Sequence, residues 1–422
     1  MLLTQVLRPR TSFHRSQLAI AALFCSLGFQ YATWAARIPA LKTELGLTAA
    51  EVGLLLMAAG VGAAVSFPLV AVLMRRLGSQ RLALASTLGL AALLPALAAA
   101  PDYYTALAVL LCDGLLVGCL NVAMNAQGAA LETRHKRNAM ARLHATFSGG
   151  SLLAALLASG ATGVTTSVAA HFGVAAAILL LLLATAWRGL LPEDGAAGDG
   201  PAANEPAGDE PAADGPARDE PAAGEPVREA APKPGGRRGR PLPSRLTLWM
   251  CLAMAFGTVT EGAVNDWSAL YLEDVAHASA ELAPLGIAVV SGMMVLARLF
   301  ADGWRSRWGD GRIVLYGSAL AGAGLALSLL SGGVVPALLG FACVGLGIAA
   351  VTPCVYVAAA AQGPEALTLV AAMGTTGLLA GPPAIGFIAN AGSLVWGMAA
   401  VAASSLLVSL VSTRIRWAPA AG

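Results

Sequence analysis

Three acids, Asp113, Glu261 and Asp266, lie well inside otherwise apolar runs of this chain. A charged side chain near the centre of a bilayer costs several kcal/mol, so it persists where it faces a cavity or a partner, and a carboxylate there can exchange a proton. Helical spacing puts Thr258, Glu261, Asn265 and Ser268 on one stripe. Asp113, Asn121 and Asn125 form a second, with Gly114 and Gly118 beside it to permit close helix approach. Ser26, Gln30, Thr33 and Arg37 make a third, His144, Ser148 and Ser151 a fourth, and Thr352 and Tyr356 share a face. Amides and hydroxyls in such rows suit a hydrophilic path through lipid. Glu261, Asp113 and Asp266 are the proton-coupling candidates, and Gln30, Asn121, Asn125, Asn265, Trp267 and Tyr356 the candidates for solute contact. The plainer alternatives are interhelical hydrogen bonding by Asp113 and the asparagines, pairing of Asp266 with Arg37, and an interfacial position for Trp267. Arg142 and His144 read as anchors of an inside loop.

The elements that must carry these residues are membrane helices. The chain is 57% hydrophobic and 12% charged, with a mean hydropathy of +0.70; soluble domains carry about 25% charged residues. Spans of about 20 apolar residues are expected at 17–37, 49–74, 82–100, 104–129, 143–165 and 169–190, and then at 246–272, 283–301, 313–331, 334–360, 366–389 and 393–413. The fold class is therefore all-α and polytopic, with about twelve transmembrane helices in two six-helix bundles. The domains are 1–191, a linker over 192–245, and 246–422. The linker repeats Pro among Ala, Gly, Asp and Glu and is expected to be disordered. With both termini inside, only Arg37 and Lys42 of the 26 Lys+Arg would face outward, Arg298 being counted among the inside residues. That count puts both termini on the cytoplasmic side of the membrane.

Several function classes are excluded. The net charge of +2 leaves no basic face for nucleic acid. The six cysteines sit in apolar runs without metal-ligand spacing, the five histidines are scattered, and no GxxxxGK[ST] loop occurs, so neither a metal, a cofactor nor an enzyme active site is expected. A small-molecule solute, protons and lipid are the expected partners, for a protein that is a monomer.

The chain also repeats itself. Arg76-Leu-Gly78-Ser-Gln-Arg81 matches Arg307-Trp-Gly309-Asp-Gly-Arg312, each in the short inside loop between the second and third spans of its half; Trp34 and Gly53 likewise match Trp267 and Gly286. Parallel repeats of this kind belong to transporters that rock around a midplane site.

On these features the chain resembles a major facilitator superfamily transporter, and within it the fucose-permease-like group of bacterial inner-membrane proteins. The likeness rests on Trp34-Ala-Ala-Arg37-Ile-Pro39, Asn121-Val-Ala-Met-Asn125-Ala-Gln127-Gly128, Arg142-Leu-His144-Ala-Thr-Phe147-Ser148, Glu261-Gly-Ala-Val-Asn265-Asp266-Trp267 and Gly377-Leu-Leu-Ala-Gly381-Pro382-Pro383. The resemblance implies that the first, fourth, seventh and tenth helices line a central cavity. It also implies an inside-loop charge motif, of which Arg76, Gly78, Arg81, Asp302, Arg307, Gly309 and Arg312 are the counterparts here. Two departures bear on that motif: Arg75 and Ser306 stand in its Asp slots, and Asp302 lies four residues earlier. In fucose permease the first and fourth helices each carry a functional acid; here the first carries none, Gln30 lies at a similar depth, and Asp113 has a fitting depth on the fourth. The expected activity is secondary active transport of a small polar solute, sugar-like by preference, by alternating access and with protons coupled. Proton-coupled efflux of a small metabolite or drug is the alternative, and a non-transporting membrane sensor a lesser one.

Overall fold

Helix boundaries follow from which side chains can take the first free amides of a helix. Thr48 and Glu51 form a reciprocal capping box, Asp102 accepts from the Thr105 amide at 2.8 Å, and Ser167 and Ser244 cap at 3.2 and 3.0 Å. Asp102 is held below the usual carboxylate range by the Thr105 backbone hydrogen bond. The structure, a computed structural model, describes residues 2–137, 139–192 and 244–417, without the side chains of 2–11, Ala141 and Asp302. The expected disordered linker falls outside the described residues for all but its edges.

In order the helices are α1 (Leu2–Ala35), the short α2 (Ile38–Glu44), α3 (Ala49–Ala98), α4 (Tyr103–His135), α5 (Met140–Val164), α6 (Val168–Trp187), α7 (Arg245–Asp274), α8 (Leu285–Trp308), α9 (Asp310–Ser331), α10 (Val334–Ile348), α11 (Val351–Ala360), α12 (Pro364–Ala391) and α13 (Leu394–Ser412). Among the described residues, 10 helical stretches are long and apolar enough to cross a membrane. One of them, α3, is 50 residues long and turns at Gly78, so it crosses twice, while α10 and α11 form one crossing. The apolar part of α8, Leu285–Ala301, supplies the twelfth. Three details depart from the expected spans. The second and third are nearly continuous, the tenth is interrupted at Ala349–Ala350, and α8 runs on past its apolar part to Trp308.

Packing repeats between the halves. In the first, α1 packs on α5 and α6, and α3 on α4 and α6; in the second, α7 packs on α12 and α13, and α9 on α10 and α13. The loop glycines repeat as well: Gly78 has φ 77° and ψ 165°, Gly309 φ 79° and ψ 153°. This left-handed backbone is open to glycine and costly for other residues, so the matched glycines are a requirement of the turn. Close approach within a half uses small residues, since a Cβ on Gly114 would collide with the Ala59 carbonyl and one on Gly62 with that of Leu111. Gln127 secures the inside end of the first half, donating to Ser79 Oγ (2.8 Å) and the Leu191 carbonyl (3.0 Å) while accepting from the Leu191 amide.

The halves meet through α3 on α12 and α5 on α8. Near the end that carries α2, a Cβ on Gly386 would lie 2.6 Å from the Ala49 carbonyl, so the two backbones touch there. At the same end Lys42 pairs with Asp274 at 2.5 Å and Ser159 donates to the Glu281 carbonyl at 2.6 Å.

Candidate functional site

The three intramembrane acids meet three different surroundings. Asp113 on α4 is 3% exposed and accepts a hydrogen bond from Gln30 Nε2 of α1 at 2.5 Å. Gln30 is as deeply buried, and its Oε1 has no hydrogen-bond partner. Among the described residues no cation pairs with Asp113. One amide donor to a charged group returns about 1.5–3 kcal/mol, against a penalty of several kcal/mol for taking a carboxylate out of water.

Asp266 on α7 is also buried, and accepts from the Tyr31 hydroxyl of α1 at 2.5 Å. This bond joins the two halves. The expected pairing of Asp266 with Arg37 is not formed: Arg37, at the end of α1, donates instead to Thr162 Oγ1 and the Thr166 carbonyl, both at 2.6 Å. The physical reason is direction. Tyr31 lies more than a turn before Arg37, on the α1 face that meets α7, while Arg37 turns towards the α5–α6 connection.

Glu261 is the open acid. Its side chain is 28% exposed and lies 3.4 Å from Arg298 of α8, whose other terminal nitrogen donates to Ser148 Oγ of α5 at 2.6 Å. Arg298 thus links α5 of one half to α7 and α8 of the other. The sequence reading placed Arg298 among the loop cations; it lies instead about 20 Å along α8 from Leu285, at 1.5 Å per residue. The available signal was its position inside the apolar span 283–301, where a cation calls for a partner.

The polar stripes divide by depth. On the α7 stripe, Thr258 donates to the Gly374 carbonyl of α12 and Ser268 is sealed, whereas Glu261 and Asn265 keep an open face. Asn265 donates back to the Glu261 carbonyl at 2.8 Å. On α4, Asp113 is buried, Asn125 half-buried and Asn121 exposed; Asn125 donates to Asn121 Oδ1 at 2.9 Å. On α1, Ser26 and Thr33 bond their own helix, and on α5 Ser151 donates to the Gly28 carbonyl. Tyr356 of α11 is half-buried. Trp267 is 0% exposed and belongs to the apolar core, so it offers no face to a solute in this state. His144, read as a loop anchor, stacks edge-on against Phe24 (5.0 Å). Asp113, Asp266 and Ser268 are thus buried and Glu261, Asn265 and Asn121 keep exposed surface, while Thr258, Ser148 and Gln127, nearer the termini, are buried as well. Tyr31–Asp266, Lys42–Asp274, Ser159–Glu281 and Ser148–Arg298 join the halves, and of these Ser148–Arg298 lies nearest the termini.

The inside-loop residues keep their distance from this path. Arg76, Arg81, Arg307 and Arg312 lie around the turns at Gly78 and Gly309, and the Asp302 side chain lies outside the described residues. The charge pair made in the second loop is Arg305 with Asp310, Nε to Oδ1 at 2.8 Å and Nη2 to Oδ2 at 3.1 Å. Sequence reading missed Asp310 because it follows the motif glycine, where the family pattern places no acid. Among the described residues no group of three or more His, Cys, Asp or Glu is placed to hold a metal ion.

Comparison with known proteins agrees with this geometry. The sequence pattern of the Major Facilitator Superfamily matches residues 18–367. An uncharacterized MFS-type transporter of Yersinia pestis is 28% identical over 96% of each chain. The uncharacterized transporter y4wD of Sinorhizobium fredii is 30% identical, over 89% of this chain and 91% of its own. Membrane protein MosC of Rhizobium meliloti is 28% identical, over 93% and 88%. Among solved structures, the nucleoside transporter NupG superposes with a TM-score of 0.68 at 14% identity, over 96% of this chain and 98% of that one, which shows a shared fold.

Proposed function

Because the chain belongs to the Major Facilitator Superfamily, we propose that it is a secondary active transporter that carries a small polar solute, sugar-like in its hydrogen bonding, by alternating access and with protons coupled. The observation that supports this reading best is that Tyr31–Asp266 and Lys42–Asp274 join the halves at the α2 end, while Glu261, Asn265, Asn121 and Asn125, nearer the termini, keep exposed surface. Such an arrangement is what a path closed at one face and open at the other requires. With 1–191 and 246–422 as the two rocking bodies and 192–245 as their tether, the open end is the cytoplasmic one on the basic-residue count of the inside loops.

The residues divide the work by surroundings. Asp113, held by a neutral amide and no cation, makes good its burial by binding a proton, and its release is the coupling step. Glu261 faces the open part of the path, where it exchanges protons and meets the solute beside Asn265, Asn121 and Asn125. Gln30 reports the state of Asp113 to a solute through its free carbonyl oxygen. Asp266 serves the closure. Tyr356 lines the path from the second half.

The test begins with a screen of solutes for thermal stabilisation of the purified protein, and then uses the stabilising solute in proteoliposomes with an internal pH dye. Wild type is expected to move protons with the solute. Asp113→Asn is expected to keep solute counterflow and lose proton movement; Glu261→Gln is expected to slow both. If both variants couple solute to the pH gradient at the wild-type rate, the site assignment is wrong, and protons moving against the solute would make the protein an exporter.

A further inference from the structure

Arg298 has no part in the closure or in the proton step at Asp113, and its coordination is unfinished. One nitrogen holds Ser148 at 2.6 Å; the other lies 3.4 Å from a single oxygen of Glu261, and the two charged side chains remain 32% and 28% exposed. The protein supplies its own standard for an arginine–carboxylate pair that exists to hold structure. Arg305 grips both oxygens of Asp310, at 2.8 and 3.1 Å, the forked geometry of a strong arginine–carboxylate pair. The Arg298–Glu261 contact is long and single. A guanidinium presents five N–H donors in a planar fork, and Ser148 and Glu261 engage no more than two of them. A cation in a membrane helix persists where it faces a water-filled cavity or a partner, and donors open to water are donors that a solute can occupy.

The geometry points to Arg298 as the anchor for a carboxylate on the transported solute, which makes the solute class small organic acids. Glu261 demonstrates that a carboxylate oxygen fits beside the guanidinium, and its loose hold leaves that place open to competition. Ser148 of the first half and Glu261 of the second both reach the same guanidinium. An acid bound there therefore touches both moving bodies at once. A polyhydroxy acid satisfies this anchor and the amides around it together. The inference rests on the transport reading above and narrows it.

The experiment uses the full-length protein in detergent and matched pairs of probes: D-glucuronate with D-glucose, D-gluconate with sorbitol, and succinate with succinamide. Thermal stabilisation by at least one acid, and by none of its neutral partners, is expected. Arg298→Gln is expected to weaken binding of that acid 100-fold or more, with Arg298→Lys between it and wild type, because lysine keeps the charge and loses the fork. Should Arg298→Gln fail to fold with Glu261 left unpaired, the double variant Arg298→Gln/Glu261→Gln carries no unbalanced charge and is expected to show the same loss. Three results overturn the inference: a neutral partner that stabilises as well as its acid, wild-type affinity for the acid in the double variant, or no acid that stabilises. An acid bound through Arg298 but never exchanged across a proteoliposome membrane would sink the transport reading and leave the anchor standing. A neutral solute carried at full rate would do the reverse.

Discussion

Removing one oxygen atom, in Tyr31→Phe, tests the closure at the α2 end. The ring of Tyr31 packs edge-on against Trp34 at 5.5 Å, and phenylalanine keeps that contact, so the lost term is the hydrogen bond to buried Asp266. Leaving a buried polar group without its partner costs about 1–3 kcal/mol, which at about 1.4 kcal/mol per decade is roughly 5- to 140-fold in an equilibrium. That factor applies to the ratio of states closed and open at the α2 end, because the bond joins α1 to α7 and breaks when the halves part. Lys42→Ala is the internal control. Its pair with Asp274 is as short but exposed, at 27% and 38%, and exposed pairs contribute about 0–1 kcal/mol, or at most about fivefold. Spin labels at Thr43 and Ser279, both exposed and one in each half, read the ratio by pulsed dipolar spectroscopy in a background with the native cysteines replaced. The long-distance population is expected to grow by about fivefold or more in Tyr31→Phe and by less in Lys42→Ala. An unchanged ratio in Tyr31→Phe, or one no larger than in Lys42→Ala, refutes the assignment of Asp266 to the closure.

Other expectations follow from the packing. Gly114→Ala drives a Cβ into the Ala59 carbonyl and is expected to cost about 1–3 kcal/mol, seen as a lower thermal midpoint; an unchanged midpoint would mean that α3 and α4 are not held by this approach. Gly78→Ala and Gly309→Ala place a side chain at φ near 78° and should each cost about 1–2 kcal/mol. Their losses are expected to be similar, because the two turns are equivalent, and a large inequality in the thermal midpoints would contradict the repeat. Asp102 caps α4 as a carboxylate and titrates below its ordinary value of 3.8 in the folded protein. Its contribution is fully present above that ordinary value and is lost as the pH falls through the lowered one. The stability difference between wild type and Asp102→Asn should therefore shrink on acidification below about pH 4, and a difference that stays constant from pH 7 to pH 3 would remove the cap from the account.

The helices, their number and the faces that carry polar residues could be read from the amino-acid order, because span length and a period of 3.6 residues are local properties. The repeat was legible for the same reason: Gly78 and Gly309 each fix their own turn, whatever packs around it. Periodicity says which residues share a face, but not which helix that face will meet. Tyr31 finds Asp266 across 235 positions, Gln30 finds Asp113 across 83, and Arg298 reaches Ser148 across 150. No local rule selects Tyr31 over Arg37 as the partner of Asp266, since both lie near the end of the same helix. That choice depends on the rotation of α1 against α7 and on the threonines that the α5–α6 connection offers to Arg37. The same holds for Trp267, whose type suggests a binding face and whose neighbours bury it. Which end of the proposed pathway is shut depends on the relation between two six-helix bodies, which only their packing decides.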